Sequence, residues 1–188
     1  QDGKTKYTDP DGMPELKVAI CAKFKRENGL EYVPAQIHVA PGGKPVLFNA
    51  LAASVNVGDE VIIPAPYWVS YPDIVGFCDG VPVFVNCGAE NNFKMKPAQL
   101  EKAITPKTKA IVPVHLFGRA ANMDAIMEIA NEHNLYVIED NAQAIGANFT
   151  FADGSKKKAG VIGHVSSTSF FPSKNLGCYG DGGAIFTN

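Results

Sequence analysis

Apolar residues along the chain follow two rhythms that take turns. Short runs rich in Val and Ile, bounded by Gly, Pro or Asp, give way to stretches whose apolar positions fall three and four apart. The first rhythm suits a buried strand and the second suits one face of a helix, so their alternation points to an α/β fold. Strands are expected near 37–40, 60–64, 81–86, 110–115, 136–139, 166–170 and 184–187. Helices are expected over 14–27, 45–55, 69–77, 97–104 and 123–133. The last carries Ile126, Ile129, Ala130 and His133 on one face, with Asn122 placed to cap it.

Two connections break the rhythm. Asp153-Gly154 lies between extended flanks and signals a surface hairpin, which makes the Lys156–Lys158 run a solvated edge. Between Phe171 and Gly183 there are too few residues for a helical crossover, so the last strand is expected to run antiparallel to its neighbours. The expected architecture is therefore α/β and three-layered, with a seven-stranded, mainly parallel sheet and one antiparallel strand. A chain of 188 residues without linker or repeat is read as a single domain, residues 1–35 forming an N-terminal helical segment.

Composition narrows the partners. A hydrophobic fraction of 46% with 19% charged residues excludes disorder and coiled coil. A formal charge of -2 supplies no field for nucleic acid phosphates or an anionic membrane, leaving a small molecule or another protein. The stretch Gln1 to Asp11 is polar, and no window approaches the roughly 18 apolar residues of a membrane span, so a cytoplasmic location is expected. Cys21, Cys78, Cys87 and Cys178 form no C-x-x-C and are expected to be buried thiols. The four histidines are equally scattered, without metal-ligand spacing.

In a parallel sheet the chemistry sits beyond the carboxyl ends of the strands, and four features fall there. Ala40-Pro41-Gly42-Gly43-Lys44-Pro45 opens a helix whose free N–H groups and dipole suit a phosphate, although a glycine pair is often only a tight turn. Pro66-Tyr67-Trp68 carries the single tryptophan, a flat group for stacking or for the core. Glu139 and Asp140 end an apolar run and point to opposite sides, so that one addresses a ligand and the other caps a helix. Lys174 follows the strand 166–170, and a lysine amine in a partly dry pocket attacks carbonyls. A phosphate cradle, a flat stacking group, a carboxylate and an amine together match pyridoxal 5'-phosphate: the amine forms the Schiff base and the carboxylate keeps the pyridine nitrogen protonated. No G-x-G-x-x-G or G-x-x-x-x-G-K-[ST] follows any strand, which sets a dinucleotide site well behind.

S-F-F-P-S-K-N-L-G-C-Y-G-D-G-G-A around Lys174, V-I-E-D-N-A-Q-A-I-G-A at 137–147 and P-V-H-L-F-G at 113–118 resemble the DegT-type sugar aminotransferases of fold type I, over about residues 104–188. The resemblance implies Lys174 as the Schiff-base lysine, Asp140 as the pyridinium partner, Gln143 against the cofactor ring or its phenolic oxygen, and Ser169 as a phosphate ligand. Y-T-D-P-D-G-M-P-E-L-K at 7–17, V-A-P-G-G-K at 39–44 and G-D-E-V-I-I-P-A-P-Y-W-V-S-Y-P at 58–72 are similar instead to class I bacterial aspartate aminotransferases, also of fold type I. That branch implies backbone N–H groups of Gly43 and Lys44 on the phosphate, Trp68 stacked on the ring, and Tyr7 reaching a partner subunit's phosphate in a homodimer.

The two resemblances meet at a seam near 104–110, which reads as a recombined or designed chain. The class I N-P-x-N-P-T-G segment and the Arg a few residues beyond the lysine are both missing. Fold type I enzymes also carry a C-terminal small domain, which this sequence does not reach. The expected function is a pyridoxal phosphate aminotransferase or its cofactor-binding core, passing an amino group from an amino acid to a keto acid or keto-sugar nucleotide. The alternative is a catalytically silent α/β scaffold.

Overall fold

The computed structural model describes residues 7–187, so Gln1–Lys6 of the polar N-terminus and Asn188 lie outside the described residues. In chain order it contains α1 (Pro14–Asn28), β1 (Ile37–Ala40), α2 (Gly43–Ser54), β2 (Glu60–Ala65), α3 (Ser70–Phe77), β3 (Val81–Asn86), α4 (Pro97–Ala103), β4 (Thr108–Ile111), α5 (Met123–Glu132), β5 (Tyr136–Asp140), β6 (Asn148–Thr150), β7 (Lys156–Lys158), β8 (Val165–Ser169) and β9 (Gly183–Thr187). Seven strands join in the order β1-β9-β8-β5-β4-β2-β3. Strand β9 is antiparallel to both β8 and β1, while β8, β5, β4, β2 and β3 run parallel. The reversal has the expected cause: the segment between β8 and β9 contains no helix to carry the chain back. Strands β6 and β7 form the expected separate hairpin around Asp153-Gly154.

Period-two alternation on β2 builds two cores at once. Val61 and Ile63 face α2 and α3 with Leu47, Leu51, Val75 and Ile138. Ile62 faces the other way with Leu100, Ile111, Met123, Ile129 and Val137, beneath α4 and α5. Burying each such side chain contributes roughly 1.5–3 kcal/mol, and two apolar sheet faces demand two helical layers. Ile20 and Phe24 of α1 close a third cluster over Ile37 and Phe186, at the β1/β9 edge.

Three local expectations change. Strand β4 stops at Ile111 instead of His115, because Pro113 has no N–H to donate to a ladder. The chain nevertheless stays extended: Asp140 N–H donates to Pro113 O at 2.9 Å and His115 N–H to Asp140 O at 2.9 Å. Asn122 occupies the cap position of α5, but its side chain makes no cap hydrogen bond. Of the four cysteines only Cys87 is buried, and Cys178 is exposed on the glycine-rich loop after Lys174, where no helix or strand covers it. No helix among the described residues is long and apolar enough to cross a membrane.

Candidate active site

The carboxyl ends of β2, β4, β5 and β8 share one edge of the sheet, and a cleft of about 1530 Å³ runs along it. Ligand pockets usually hold about 300–1,000 Å³, so this one has room for a cofactor and a substrate together. Its walls include Gly42, Gly43, Lys44, Trp68, Asp140, Gln143, Ser169 and Lys174. The eight residues come from four segments spread over more than half the chain, brought together by the parallel strands β2, β4, β5 and β8 and, for Gly42–Lys44, by the antiparallel pairing of β9 with β8 and β1. Tyr7 does not line the cleft and stands fully exposed.

The anion cradle is the start of α2. Gly42 precedes the helix at φ 118°, a conformation open to glycine, and no side chain caps the helix N-terminus. The first N–H groups therefore lack an intrahelical or side-chain acceptor and face the cleft with the positive end of the dipole. The neighbouring backbone is tight: a Cβ on Gly183 would lie 2.4 Å from Gly42 O. On Gly43 it would lie 3.0 Å from Ser169 Cβ, which places Ser169 directly beside the helix start.

Trp68 precedes α3 and is 43% exposed, its ring edge-on to Tyr71 at 5.6 Å between centroids. Lys44 Nζ sits over the indole, 5.2 Å from its centre. Lys174 is half-buried in the turn after β8, its N–H donating to Phe171 O at 2.8 Å.

Asp140 ends β5, next to Ser167 of β8, and is 8% exposed. Its Oδ2 accepts from the Tyr71 hydroxyl at 2.5 Å and its Oδ1 from Ala142 N–H at 2.9 Å. Each oxygen keeps a lone pair, so a further donor can still bind. Burial, reinforced by the Asp140 charge and hydrogen bond, holds the Tyr71 phenol far above the usual tyrosine range, so it remains a donor. Tyr71 escapes a sequence reading that stops at Trp68, because Trp68 lies outside α3 and no helical spacing links the two. Tyr71→Phe is expected to cost about 1.5–3 kcal/mol, the worth of a hydrogen bond to a charge, measured by urea unfolding. A loss within experimental error would mean that Tyr71 does not hold the carboxylate.

Glu139 turns to the opposite face, as strand alternation requires, and is fully buried. Oε2 accepts from His115 Nε2 at 2.6 Å and from Gly160 N–H at 2.8 Å. Oε1 accepts from the N–H groups of Ile162 at 2.7 Å and Gly163 at 2.5 Å. His115 Nδ1 accepts from Ala121 N–H at 3.1 Å, which fixes the ring proton on Nε2. Burial alone would raise the Glu139 carboxyl, but the bonds from His115, Gly163 and Gly160 outweigh it and hold Glu139 below the usual range. The pair anchors the loop ahead of β8 against the end of β5.

The donor set suits pyridoxal phosphate. Uncapped amides with Ser169 match the phosphate, the partly exposed indole matches the ring, Asp140 matches its nitrogen, and Lys174 offers an amine. A profile of the DegT/DnrJ/EryC1/StrS aminotransferase family matches residues 30–188, reaching much further back than the 104–188 expected from motifs. An aspartate/prephenate aminotransferase of Cereibacter sphaeroides is 53% identical over 146 residues, 74% of this chain and 36% of that protein. An aspartate aminotransferase double mutant of Thermus thermophilus superimposes with a TM-score of 0.80 at 34% identity, covering 98% of this chain and 50% of that one. S. venezuelae DesV, solved in complex with a ketimine intermediate, gives a TM-score of 0.80 at 36% identity, over 98% of this chain and 46% of the other. The chain thus spans 36% of the curated relative and at most 50% of these two solved structures.

Proposed function

The chain belongs to the DegT/DnrJ/EryC1/StrS aminotransferase family, and from that premise we propose that it is the cofactor-binding core of a pyridoxal phosphate aminotransferase acting on small-molecule substrates. The observation that carries the reading is the convergence of Lys174 and Asp140, from adjacent strand ends, on the cleft that also holds the uncapped start of α2. When bound, the cofactor supplies an electron sink for the carbanion left by removal of a proton from the substrate α-carbon. The rest is work for the chain. The amides of Gly43 and Lys44, with Ser169 Oγ, would hold the phosphate; Trp68 would cover the ring; Gln143 would lie against the ring or its phenolic oxygen. Asp140 holds a proton on the ring nitrogen, and Tyr71 fixes the carboxylate for that task. Lys174 Nζ would hold the cofactor's carbonyl carbon and is the amine placed to take a proton from the substrate α-carbon.

A homodimer in the cytoplasm belongs to the same proposal, with Tyr7, remote from its own cleft, acting on a partner's phosphate. So does a single large domain with 1–35 as N-terminal segment and a seam near 104–110.

The test is covalent trapping. Protein mixed with pyridoxal phosphate should develop a near-ultraviolet or visible band, and borohydride should fix one adduct, mapped by mass to the peptide of Lys174. Lys174→Ala should lose both. Adducts spread over surface lysines such as Lys156–Lys158, with none on Lys174, would overturn the proposal.

A further inference from the structure

The cleft reaches buried side chains on both faces of the sheet. Leu47, Leu51, Val61 and Ile63 on its wall belong to the first core, beneath α2 and α3. Leu100, Ile111 and Ile129, also on its wall, belong to the second core, beneath α4 and α5. The sheet itself separates the two cores, so the cleft forks around the strand ends into two arms. The groups proposed for the cofactor stand in the first. Asp140 accepts from Tyr71 of α3, Trp68 precedes that helix, and Ser169 lies beside the start of α2. The second arm has no part in the proposed function.

That arm is apolar within and cationic at its mouth. Met95, Leu100, Ile126, Ile129 and Phe149 line it, from the loop after β3, from α4 and α5, and from β6. Lys94 and Lys96 stand on either side of Met95 in the chain; both are exposed and line the cleft, and among the described residues neither forms an ion pair. The cleft's two carboxylates both belong to the first arm. Asp140 is held there by Tyr71, and the Asp181 Cβ would lie 3.8 Å from a Cβ on Gly42, at the start of α2. Positive charge at the second mouth is therefore uncompensated, and it attracts small anions.

The backbone around the same arm is strained. Asn92 at φ 53°, Phe93 at φ 57° and Phe117 at φ 52° take the left-handed conformation that bulky side chains rarely adopt, and all three line the cleft. Asn92 and Phe93 lead directly into Lys94, and Phe117 lies in the connection from β4 to α5. Strain of this kind persists where surrounding bonds impose it, and it gathers at ligand clamps. Phe93 N–H donates to Gly88 O at 3.1 Å and Lys94 N–H to Asn91 O at 3.1 Å, which holds the lysine loop in place.

We propose that the second arm binds a free organic anion with an apolar tail, the tail against Leu100, Ile126 and Ile129 and the charged head at Lys94 and Lys96. Burial of the tail supplies the affinity, and the two ammonium groups decide which end stays at the mouth. The inference goes beyond the function proposed above and does not depend on it.

The probe is octanoate, titrated calorimetrically into the protein with and without pyridoxal phosphate. Its affinity should agree within about twofold in the two titrations, because the ligands occupy different arms. Hexanoate should bind roughly fifteenfold more weakly, since each buried methylene is worth about fourfold. Lys94→Gln with Lys96→Gln should weaken octanoate roughly fivefold and leave octan-1-ol unchanged. Ala125→Leu, which enlarges a half-buried side chain of α5 on the cleft wall, should weaken both ligands roughly tenfold. A urea melt on each variant separates a filled arm from a loss of fold, and the exposed lysine pair carries the test if Ala125→Leu unfolds. No saturable octanoate binding by wild type would overturn the proposal, as would equal affinity for hexanoate and octanoate. Octanoate binding indifferent to either folded variant, or lost when pyridoxal phosphate is added, would overturn it equally.

Discussion

Asp140→Asn is expected to slow amino transfer about 1000-fold while leaving the protein folded and the cofactor attached. The substitution changes charge at nearly constant shape. An amide at position 140 can still accept from Ala142 N–H or from the Tyr71 hydroxyl, so the end of β5 keeps a partner. What disappears is a negative charge on a side chain only 8% exposed. Two unit charges about 4 Å apart interact by roughly 4 kcal/mol at an effective dielectric of 20, which corresponds to three orders of magnitude in rate. In the proposed function that interaction would let Asp140 hold the proton on the ring nitrogen, and without it the substrate carbanion would lose much of its stabilisation. The measurement is the rate of the half-reaction with aspartate or glutamate, followed by absorbance, beside a urea melt as a control for folding. An Asn variant as fast as wild type, with the same melt, would remove Asp140 from the chemistry.

The separate roles of Asp140 and Glu139 show how far the sequence can be read. Alternation on a strand requires adjacent residues to face opposite ways, so the opposite facing of 139 and 140 is legible without coordinates, whereas the second carboxylate, expected to cap a helix, instead anchors a loop. The partners are not legible. Tyr71 lies 69 positions from Asp140, His115 lies 24 from Glu139, and Gly160 and Gly163 belong to a loop with no regular pattern of its own. Local rules see neighbours in sequence, whereas these bonds depend on which strands end side by side. The reversal of β9 is legible for the same reason in the other direction, because it follows from a local count of residues too few for a crossover. Apolar periodicity overshoots the end of β4, because Val112 and Val114 look like strand while Pro113 cannot pair as strand. The left-handed turn at Phe117 goes unnoticed in the sequence, since nothing about the residues L-F-G-R signals it.

Glu139→Gln is expected to destabilise the fold by about 3–5 kcal/mol, the cost of breaking one side of a buried charged network. Each carboxylate oxygen accepts two hydrogen bonds, Oε2 from His115 and Gly160 and Oε1 from Ile162 and Gly163. An amide replaces one oxygen by an NH2 group, so in either orientation two donors face a donor inside a site with no exposed surface. The same network sets an acid limit. The Glu139 carboxyl is held below its unfolded value of 4.5, burial being outweighed by the bonds it accepts. The unfolded chain therefore takes up the proton first. Stability from this group is fully present above about pH 4.5 and declines as pH falls through the lower folded value. Glu27 and Glu31 are also lowered by Lys23, Arg26 and Lys25, and Asp153 by Ser155, but these groups are solvent-exposed and contribute little to that slope. Urea midpoints recorded from pH 7 down to about pH 3 should fall steeply for wild type below about pH 4.5. For Glu139→Gln they should start lower and decline less. Parallel curves for the two proteins would show that the charge on Glu139 is not what ties the loop 160–163 to the strand that carries Asp140.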